Sequence, residues 1–227
     1  MPANSISKIE RRQQRQGQLR DQVHHLRTLV SDDDLTVGSV AAACESLKNI
    51  NKAYAYDTDA FPPLPSFERG HAQSRIAPRT LAEAMLWKLG RWKAYKNFVQ
   101  KFEDPGAVAE TTDVVLYAFG RHLIDRTLPI YDQHALRALW AIDVGFTEED
   151  HRICKSVLFD GEYRWRATGS GADAVKGYEL FVRRLATLTK GPLTANHLDR
   201  LLMPLGQALK QLFQSYGDFN SLRQPGG

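Results

Sequence analysis

Apolar residues recur at the three- and four-residue spacing of an α-helix in almost every patterned segment of this chain, and no segment alternates with the two-residue period of a strand. This pattern predicts an all-α protein. The 227 residues are 43% hydrophobic, which is enough for a sizeable core. We therefore expect one domain spanning residues 1–227.

Apolar periodicity, capping residues and helix breakers place the individual helices along the chain. The run from Ser31 to Asp34 predicts a capping box, and the helix after position 80 is expected to break near Gly90. Pro204 is expected to kink the last helix. The predicted helices cover residues 35–47, 81–102, 108–120, 133–142, 174–190 and 193–213.

The positive charge of the chain is concentrated in one stretch. The formal net charge is +4, and residues 66–101 carry eight basic residues but only two acidic ones. Trp87, Trp92 and Tyr95 are interleaved with these charges. Cations and aromatic rings together suit phosphate neutralisation and base stacking. A solvated helix face with core tryptophans explains the same stretch, so both interpretations stay open here.

Several classes of protein are excluded or disfavoured by composition. No run of about 18 apolar residues is present, so we expect no membrane span. The first residues lack the apolar centre of a signal peptide, which favours the cytoplasm. Two cysteines, Cys44 and Cys154, cannot build an iron–sulfur cluster, a disulfide framework or a zinc site alone. We expect no metal and no cofactor.

The segment 101–142 carries the chemistry that the sequence can point to. A Pro-Gly turn at Pro105 and Gly106 precedes a helix whose first N–H groups would suit a phosphate. Asp132 lies just before the next helix, where the same effects stabilise a negative charge. An ionised carboxylate there could stabilise an oxocarbenium-like transition state. Each element alone has a plain structural explanation, as a turn or a helix cap.

The order and spacing of these elements resemble the helix-hairpin-helix DNA glycosylases. Residues 105–108 occupy the place of the family's hairpin turn, and residues 111–116 are similar to the helix that follows it. Residues 129–134 are similar to the family's motif of an apolar residue, Asp, a small or polar residue, and His, with Arg137 at the place of a common arginine. The resemblance implies that Asp132 is catalytic.

The same resemblance implies an architecture. It would be a two-lobed helical bundle with a helix-hairpin-helix motif and the active-site cleft between the lobes. Residues 1–60 would form an N-terminal helical part, and residues 66–145 the hairpin and catalytic core. The C-terminal helices, residues 172–216, would pack on the N-terminal part.

Two departures from the family pattern matter. Val108 replaces the second hairpin glycine and Asp104 replaces an apolar residue, which implies a differently shaped grip on the DNA backbone. Glu110 stands where bifunctional members carry a lysine nucleophile. Without that amine no Schiff base forms, so the resemblance implies a monofunctional enzyme that leaves an abasic site.

Base flipping requires a pocket with aromatic walls and polar groups. Its candidate residues are Tyr131, Gln133, His134, Trp87 and Lys88, with Trp92 beside them. Candidate contacts to the DNA backbone are Pro105, Gly106, Ala107, Val108, Ala109, Arg121, Arg126, Arg164 and Arg166. For the arginines and histidine, a solvated or hydrogen-bonded surface position is the alternative. Trp165, between the last two arginines, would either stack on DNA or pack onto its own fold.

The sequence thus favours a monomeric, monofunctional DNA glycosylase that acts on double-stranded DNA. A bulky, hypermodified phage cytosine is one substrate hypothesis, with antiviral defence as the role. A non-catalytic DNA-binding module that keeps the hairpin fold is the main alternative, and in it Asp132 would only cap a helix. An all-α scaffold with no nucleic-acid role is the third interpretation, and it predicts no salt-dependent binding to duplex DNA.

Overall fold

A computed structural model describes residues 7–50, 81–104, 108–109, 113–166 and 173–223. Within these ranges the chain forms ten α-helices and, apart from them, only two isolated β-bridges. The predicted all-α class is therefore confirmed. The helices are α1 Lys8–Ser31, α2 Val37–Lys48, α3 Leu81–Lys88, α4 Trp92–Glu103, α5 Val114–Ile124, α6 Gln133–Ile142, α7 Glu148–Leu158, α8 Ala174–Leu188, α9 Ala195–Leu212 and α10 Tyr216–Ser221.

Helix α6 is the centre of the main core. Every residue from Ala135 to Ile142 is buried, because α6 packs against α1, α7, α8 and α9. Leu136, Leu139 and Trp140 face inward, as the helical spacing predicts. A helix that is buried on all sides fixes the position of its own N-terminus, and Asp132 precedes that end.

Helix α9 packs on α6, α2 and α1, so the C-terminal part of the chain lies against the N-terminal helices. It continues through Pro204. Proline has no N–H, so the carbonyl of Arg200 loses its helical donor. The thiol of Cys44 on α2 lies 3.5 Å from that carbonyl oxygen and donates to it instead. The proline is thus accommodated by a neighbouring helix.

Helices α3, α4 and α5 follow one another in the packing. Helix α3 contacts α4, α4 contacts α5, and α5 contacts α8 of the main core. The predicted break near Gly90 is confirmed: α3 ends at Lys88, Gly90 has a φ of +69°, and α4 begins at Trp92. That backbone conformation favours glycine because a Cβ would be strained there.

Two local expectations were wrong. Ser31 is the last residue of α1, and the cap of α2 is Thr36, which forms a capping box with Ser39. The Thr36 hydroxyl accepts from the backbone N–H of Ser39, so the N-terminus of α2 is capped without the aspartates. The helix expected from Val108 begins at Val114, and Val108 is 75% exposed rather than part of an apolar face.

The two C-terminal helices occur where the sequence placed them, as α8 and α9. None of the helices in the described ranges is long and apolar enough to cross a membrane.

Candidate functional site

Asp132 is the N-cap residue of α6. Its backbone is extended, and its Oδ1 accepts hydrogen bonds from the backbone N–H groups of His134 at 2.5 Å and Ala135 at 2.9 Å. The side chain is half-buried. Two N–H donors at the positive end of a helix stabilise negative charge on a carboxylate. This geometry holds an anion at a fixed place, whether its role is structural or chemical.

A buried arginine stands one turn further along α6. Arg137 Nη1 donates to His134 Nδ1 at 2.9 Å and to the carbonyl of Gly206 at 3.2 Å. Its guanidinium carbon lies 4.2 Å from the centroid of the Trp165 ring. Burial lowers the pKa of Arg137 to about 9, while the charge of Asp132 acts in the opposite direction. Arg137 therefore remains a cation at neutral pH.

This contact sets the state of His134. Arginine can only donate, so His134 Nδ1 must accept, and the hydrogen of the neutral imidazole belongs on Nε2. Burial lowers the pKa of His134, Asp132 raises it, and Arg137 lowers it further. A neutral imidazole with a defined tautomer follows. Gln133 Oε1 lies 3.5 Å from Arg137 Nη2, so both polar residues after Asp132 are close to the same guanidinium.

A second carboxyl group lies on the opposite helix. Asp199 of α9 is 8% exposed, and its Oδ2 accepts a hydrogen bond from the backbone N–H of Ile130 at 3.1 Å. Burial raises the pKa of Asp199 to about 7; the Ile130 N–H lowers it and the charge of Asp132 raises it. The site therefore contains two carboxyl groups in different surroundings, one capping a helix and one in the core.

Helices α6 and α9 approach closely beside these residues. A Cβ added at Gly206 would overlap the carbonyl oxygen of His134. Only glycine fits this crossing, which brings the α9 backbone to within hydrogen-bonding range of Arg137. Lys210, one turn further on α9, donates to the carbonyl of Arg166 at 3.3 Å.

Tyr131, a predicted wall of the base pocket, lies in the core and is 1% exposed. Its ring centroid is 5.3 Å from those of Tyr178 and Phe181 on α8. Burial raises the pKa of its hydroxyl. The structure thus separates Tyr131 from Gln133 and His134: those two are half-buried beside Asp132, whereas Tyr131 supports the segment from beneath.

The aromatic and basic candidates upstream lie on other helices. Trp87 and Lys88 are exposed on α3, where Trp87 is 58% exposed. Trp92 is half-buried at the start of α4 and stacks on Tyr95 with ring centroids 5.5 Å apart. Their helices pack mainly on each other and on α5, whereas the main contacts of α6 are with α1, α7, α8 and α9.

The predicted hairpin is only partly within the described residues. Pro105, Gly106 and Ala107 lie outside them, as does Glu110. Lys101, at the end of α4, donates to the carbonyl of Val108 at 3.0 Å and pairs with Asp113 at 3.5 Å. Ala109 packs against the main core. Lys101 therefore ties together the segments on both sides of the predicted turn.

The arginine candidates differ in their surroundings. Arg121 and Arg126 are half-buried on α5 and in the loop after it. Arg164 is exposed and paired with Glu162. Arg166 is half-buried, and its Nε donates to the carbonyl of Ser156 at 3.1 Å. The exposed Arg164 is the one of these four whose side chain lies largely in solvent.

Trp165 packs onto its own fold. Its ring stacks on Phe159 with centroids 4.0 Å apart, and its Nε1 donates to the carbonyl of Phe213. Together with the Arg137 contact, this places the tryptophan inside the cluster that surrounds α6. It is held as a structural residue rather than presented to a duplex.

Sequence reasoning did not identify Asp199. The signal was present, because Asp199 shares the apolar face of α9 with Leu202 and Met203, three and four residues later. A carboxyl group on such a face is unusual unless it has a partner or a function.

No cluster of three or more histidine, cysteine or acidic residues suited to a metal ion occurs among the described residues. Comparison of the chain with protein-family models, with curated proteins and with solved structures gave no match.

Proposed function

We propose that this chain is a monofunctional DNA glycosylase that flips a damaged or modified base out of double-stranded DNA and hydrolyses its N-glycosidic bond. The observation that supports the proposal most directly is the geometry of Asp132. Its carboxylate is held at the start of the central helix by the N–H groups of His134 and Ala135. This is the residue to which the sequence resemblance assigns catalysis.

The proposed chemistry needs an anion in a fixed place. As the bond between the base and the sugar lengthens, positive charge develops on the sugar, and the carboxylate of Asp132 stabilises it. Water then adds to the sugar carbon, and the base leaves with the bonding electron pair and a proton. Arg137 contacts the His134 ring and the Gln133 side-chain oxygen and so fixes their orientation. Both side chains would then present defined hydrogen-bonding groups next to that carbon.

The product is expected to be an abasic site with an intact backbone. Glu110 occupies the position of the lysine nucleophile of bifunctional enzymes. A carboxylate cannot form a Schiff base with the opened sugar, so strand cleavage by elimination is not expected.

The test is incubation of the protein with duplexes that contain undamaged, deaminated, alkylated, oxidised or phage-type modified bases, followed by alkali. Strand breaks that appear only after alkali identify a monofunctional glycosylase and its substrate class. A break with the glucosylated cytosine duplex alone would favour a role against phage DNA.

The decisive variant is Asp132→Asn. The amide oxygen still accepts from the N–H groups of α6, so folding is retained, while the negative charge is lost. Asp150→Asn is the control, since Asp150 is also an aspartate that accepts a backbone N–H in a helix cap, at the start of α7. Base release should disappear in the first variant and persist in the second.

A non-catalytic DNA-binding module is the second candidate, and one observation favours it. The contacts of Asp132 with His134 and Ala135 are those of an ordinary helix cap, which needs no catalytic role. Under this alternative the protein binds duplex DNA with an affinity that falls as salt rises. Base release would be absent with wild type and variant alike.

A further inference from the structure

Asp199 is the least expected residue in the core. It lies on the buried face of α9, with the apolar side chains of Leu198, Leu202 and Met203 around it on the same helix. One oxygen, Oδ2, accepts from the Ile130 backbone, and the other, Oδ1, is buried without a hydrogen-bond partner among the described residues. A carboxyl group kept in such a place without an arginine or lysine partner calls for a physical explanation.

The protonated acid fits these surroundings better than the carboxylate. Ionisation would leave Oδ1 as a buried, unpaired charged oxygen, whereas the protonated acid leaves only a neutral hydroxyl unpaired, which costs less free energy. Among the described ionisable groups, Asp132 is the one whose charge acts on Asp199, and it disfavours a second negative charge. The protonation state of Asp199 is thus linked to Asp132.

The hydrogen bond with Ile130 lets Asp199 hold the backbone of the loop before α6. Ile130 lies two residues before Asp132, in the loop that joins α5 to α6. The side chain of His122 closes the start of this loop, since its Nδ1 lies 2.7 Å from the carbonyl of Leu128. Asp199 holds the end of the loop from the opposite helix. Asp199 thus supplies a hydrogen bond from α9 to the backbone that leads into α6.

We propose that Asp199 is a positioning residue for Asp132: as an uncharged acid it anchors the Ile130 backbone and keeps a second negative charge away from the start of α6. The catalytic half of this inference rests on the proposed function. The structural half, that Asp199 anchors the backbone leading into α6, stands on the contact itself.

The variants Asp199→Asn and Asp199→Ala separate the two properties. Asparagine is isosteric and accepts from Ile130, but it does not titrate. Alanine removes the anchor. Asp150→Asn is the matched control, because Asp150 is 3% exposed and its Oδ2 accepts from the backbone N–H of Thr147 at 3.0 Å. It reproduces the loss of a buried carboxyl group that holds backbone, at the start of a different helix.

The first measurement is the single-turnover rate of base release between pH 5 and 9, on the duplex that wild-type protein cleaves. We expect the wild-type rate to fall above about pH 7, as Asp199 ionises. Asp199→Asn should lack this fall and stay within about threefold of wild type at pH 6. Asp199→Ala should be about 100-fold slower than wild type at pH 6, since displacement of a reacting group by about 1 Å has that effect, and it should show no fall above pH 7. Asp150→Asn should keep the wild-type pH profile.

The second measurement needs no activity. In NMR spectra of the full chain, the side-chain carboxyl carbon of Asp199 and the backbone amides of Ile130 and His134 should titrate with one midpoint. Asp199→Asn should abolish that titration at both amides, and Asp150→Asn should leave it unchanged. If no duplex is cleaved, the proposed function fails and this result alone decides whether Asp199 controls the entry to α6.

Two outcomes would overturn the inference. One is an Asp199→Asn protein with the wild-type fall in rate above neutral pH. The other is an Ile130 or His134 amide that does not respond while Asp199 titrates, because the anchor would then have no influence on Asp132.

Discussion

The thiol of Cys44 on α2 donates a hydrogen bond to the carbonyl oxygen of Arg200 on α9, the acceptor that Pro204 leaves without its helical donor. The contact joins two helices beside the proline of α9. Burial raises the pKa of the Cys44 thiol, so it remains protonated and able to donate at neutral pH.

Cys44→Ala should therefore reduce stability. It removes the hydrogen bond from the thiol to the Arg200 carbonyl, for an expected loss of about 1 kcal/mol in the free energy of unfolding. Cys44→Ser keeps a donor and should lose less than the alanine variant. Urea denaturation of the three proteins measures the difference. Equal stability of the alanine and serine variants would show that the contact does not support α9.

A second prediction concerns the crossing of α6 and α9. Gly206→Ala should destabilise the protein by about 1–3 kcal/mol, because its Cβ overlaps the His134 carbonyl and the backbone must shift. Gly17→Ala on the exposed side of α1 is the control. Its Cβ meets nothing within 4 Å, so it should stabilise the protein by about 0.5–1 kcal/mol through helix propensity. Thermal unfolding of both variants checks the opposite signs.

The third prediction is the pH dependence of stability from Asp199. Its pKa is about 7 in the folded protein against 3.8 for an ordinary aspartate, so the folded state binds the proton more tightly. The contribution of Asp199 to stability is therefore complete below about pH 4 and is lost as the pH rises towards 7. Asp199→Asn should gain stability relative to wild type between pH 5 and pH 7.5, measured by urea denaturation.

Asp150 should behave in the opposite way. Burial alone would raise its pKa, but hydrogen bonds from Thr147 and Arg183 lower it below the ordinary value. Its contribution to stability is present above the ordinary pKa of aspartate and is lost as the pH falls into the acid range. Asp150→Asn should therefore leave the slope between pH 5 and 7.5 unchanged. A change in that slope in Asp150→Asn, or none in Asp199→Asn, would contradict the assignment.

The sequence predicted those features that depend on local periodicity and backbone chemistry. The all-α class, the break at Gly90 and the helix 133–142 are confirmed, since each depends on residues close together in the chain. The cap of α2 was misplaced because Thr36 competed with the aspartate run nearby. The buried state of Tyr131 comes from α8, about 50 residues later, and no local pattern encodes it.

In the candidate site, too, the sequence predicted local neighbours but not contacts between distant helices. Asp132, Gln133 and His134 are neighbours in sequence, so their clustering was predictable. Asp199 and Gly206 reach the site only because α9 crosses α6. In the sequence, a carboxyl group and a glycine on an apolar helix face indicate a special contact at each position. They do not indicate which residues Asp199 and Gly206 contact. Long-range packing supplied that information.

The last prediction concerns Arg137. Its charge lowers the pKa of His134, after the larger effect of burial, so its removal in Arg137→Met should raise the pKa of His134. The variant also loses the contacts to the Gly206 carbonyl and to the Trp165 ring. We expect a loss of about 2–4 kcal/mol in the free energy of unfolding, since the hydrogen bonds of the buried Arg137 are lost and the Trp165 ring loses its cation.

Titration of the His134 ring protons by NMR measures the pKa, and the indole Nε1–H resonance of Trp165 in the same spectra reports the ring's surroundings. Lys210→Met is the control for charge alone, because Lys210 also lowers the pKa of His134 but as a smaller cause. It should raise that pKa less than Arg137→Met and keep the cation of Arg137 over the Trp165 ring. A His134 pKa that falls in Arg137→Met would mean that the guanidinium does not set the state of this histidine, and the order proposed for the start of α6 would lose its basis.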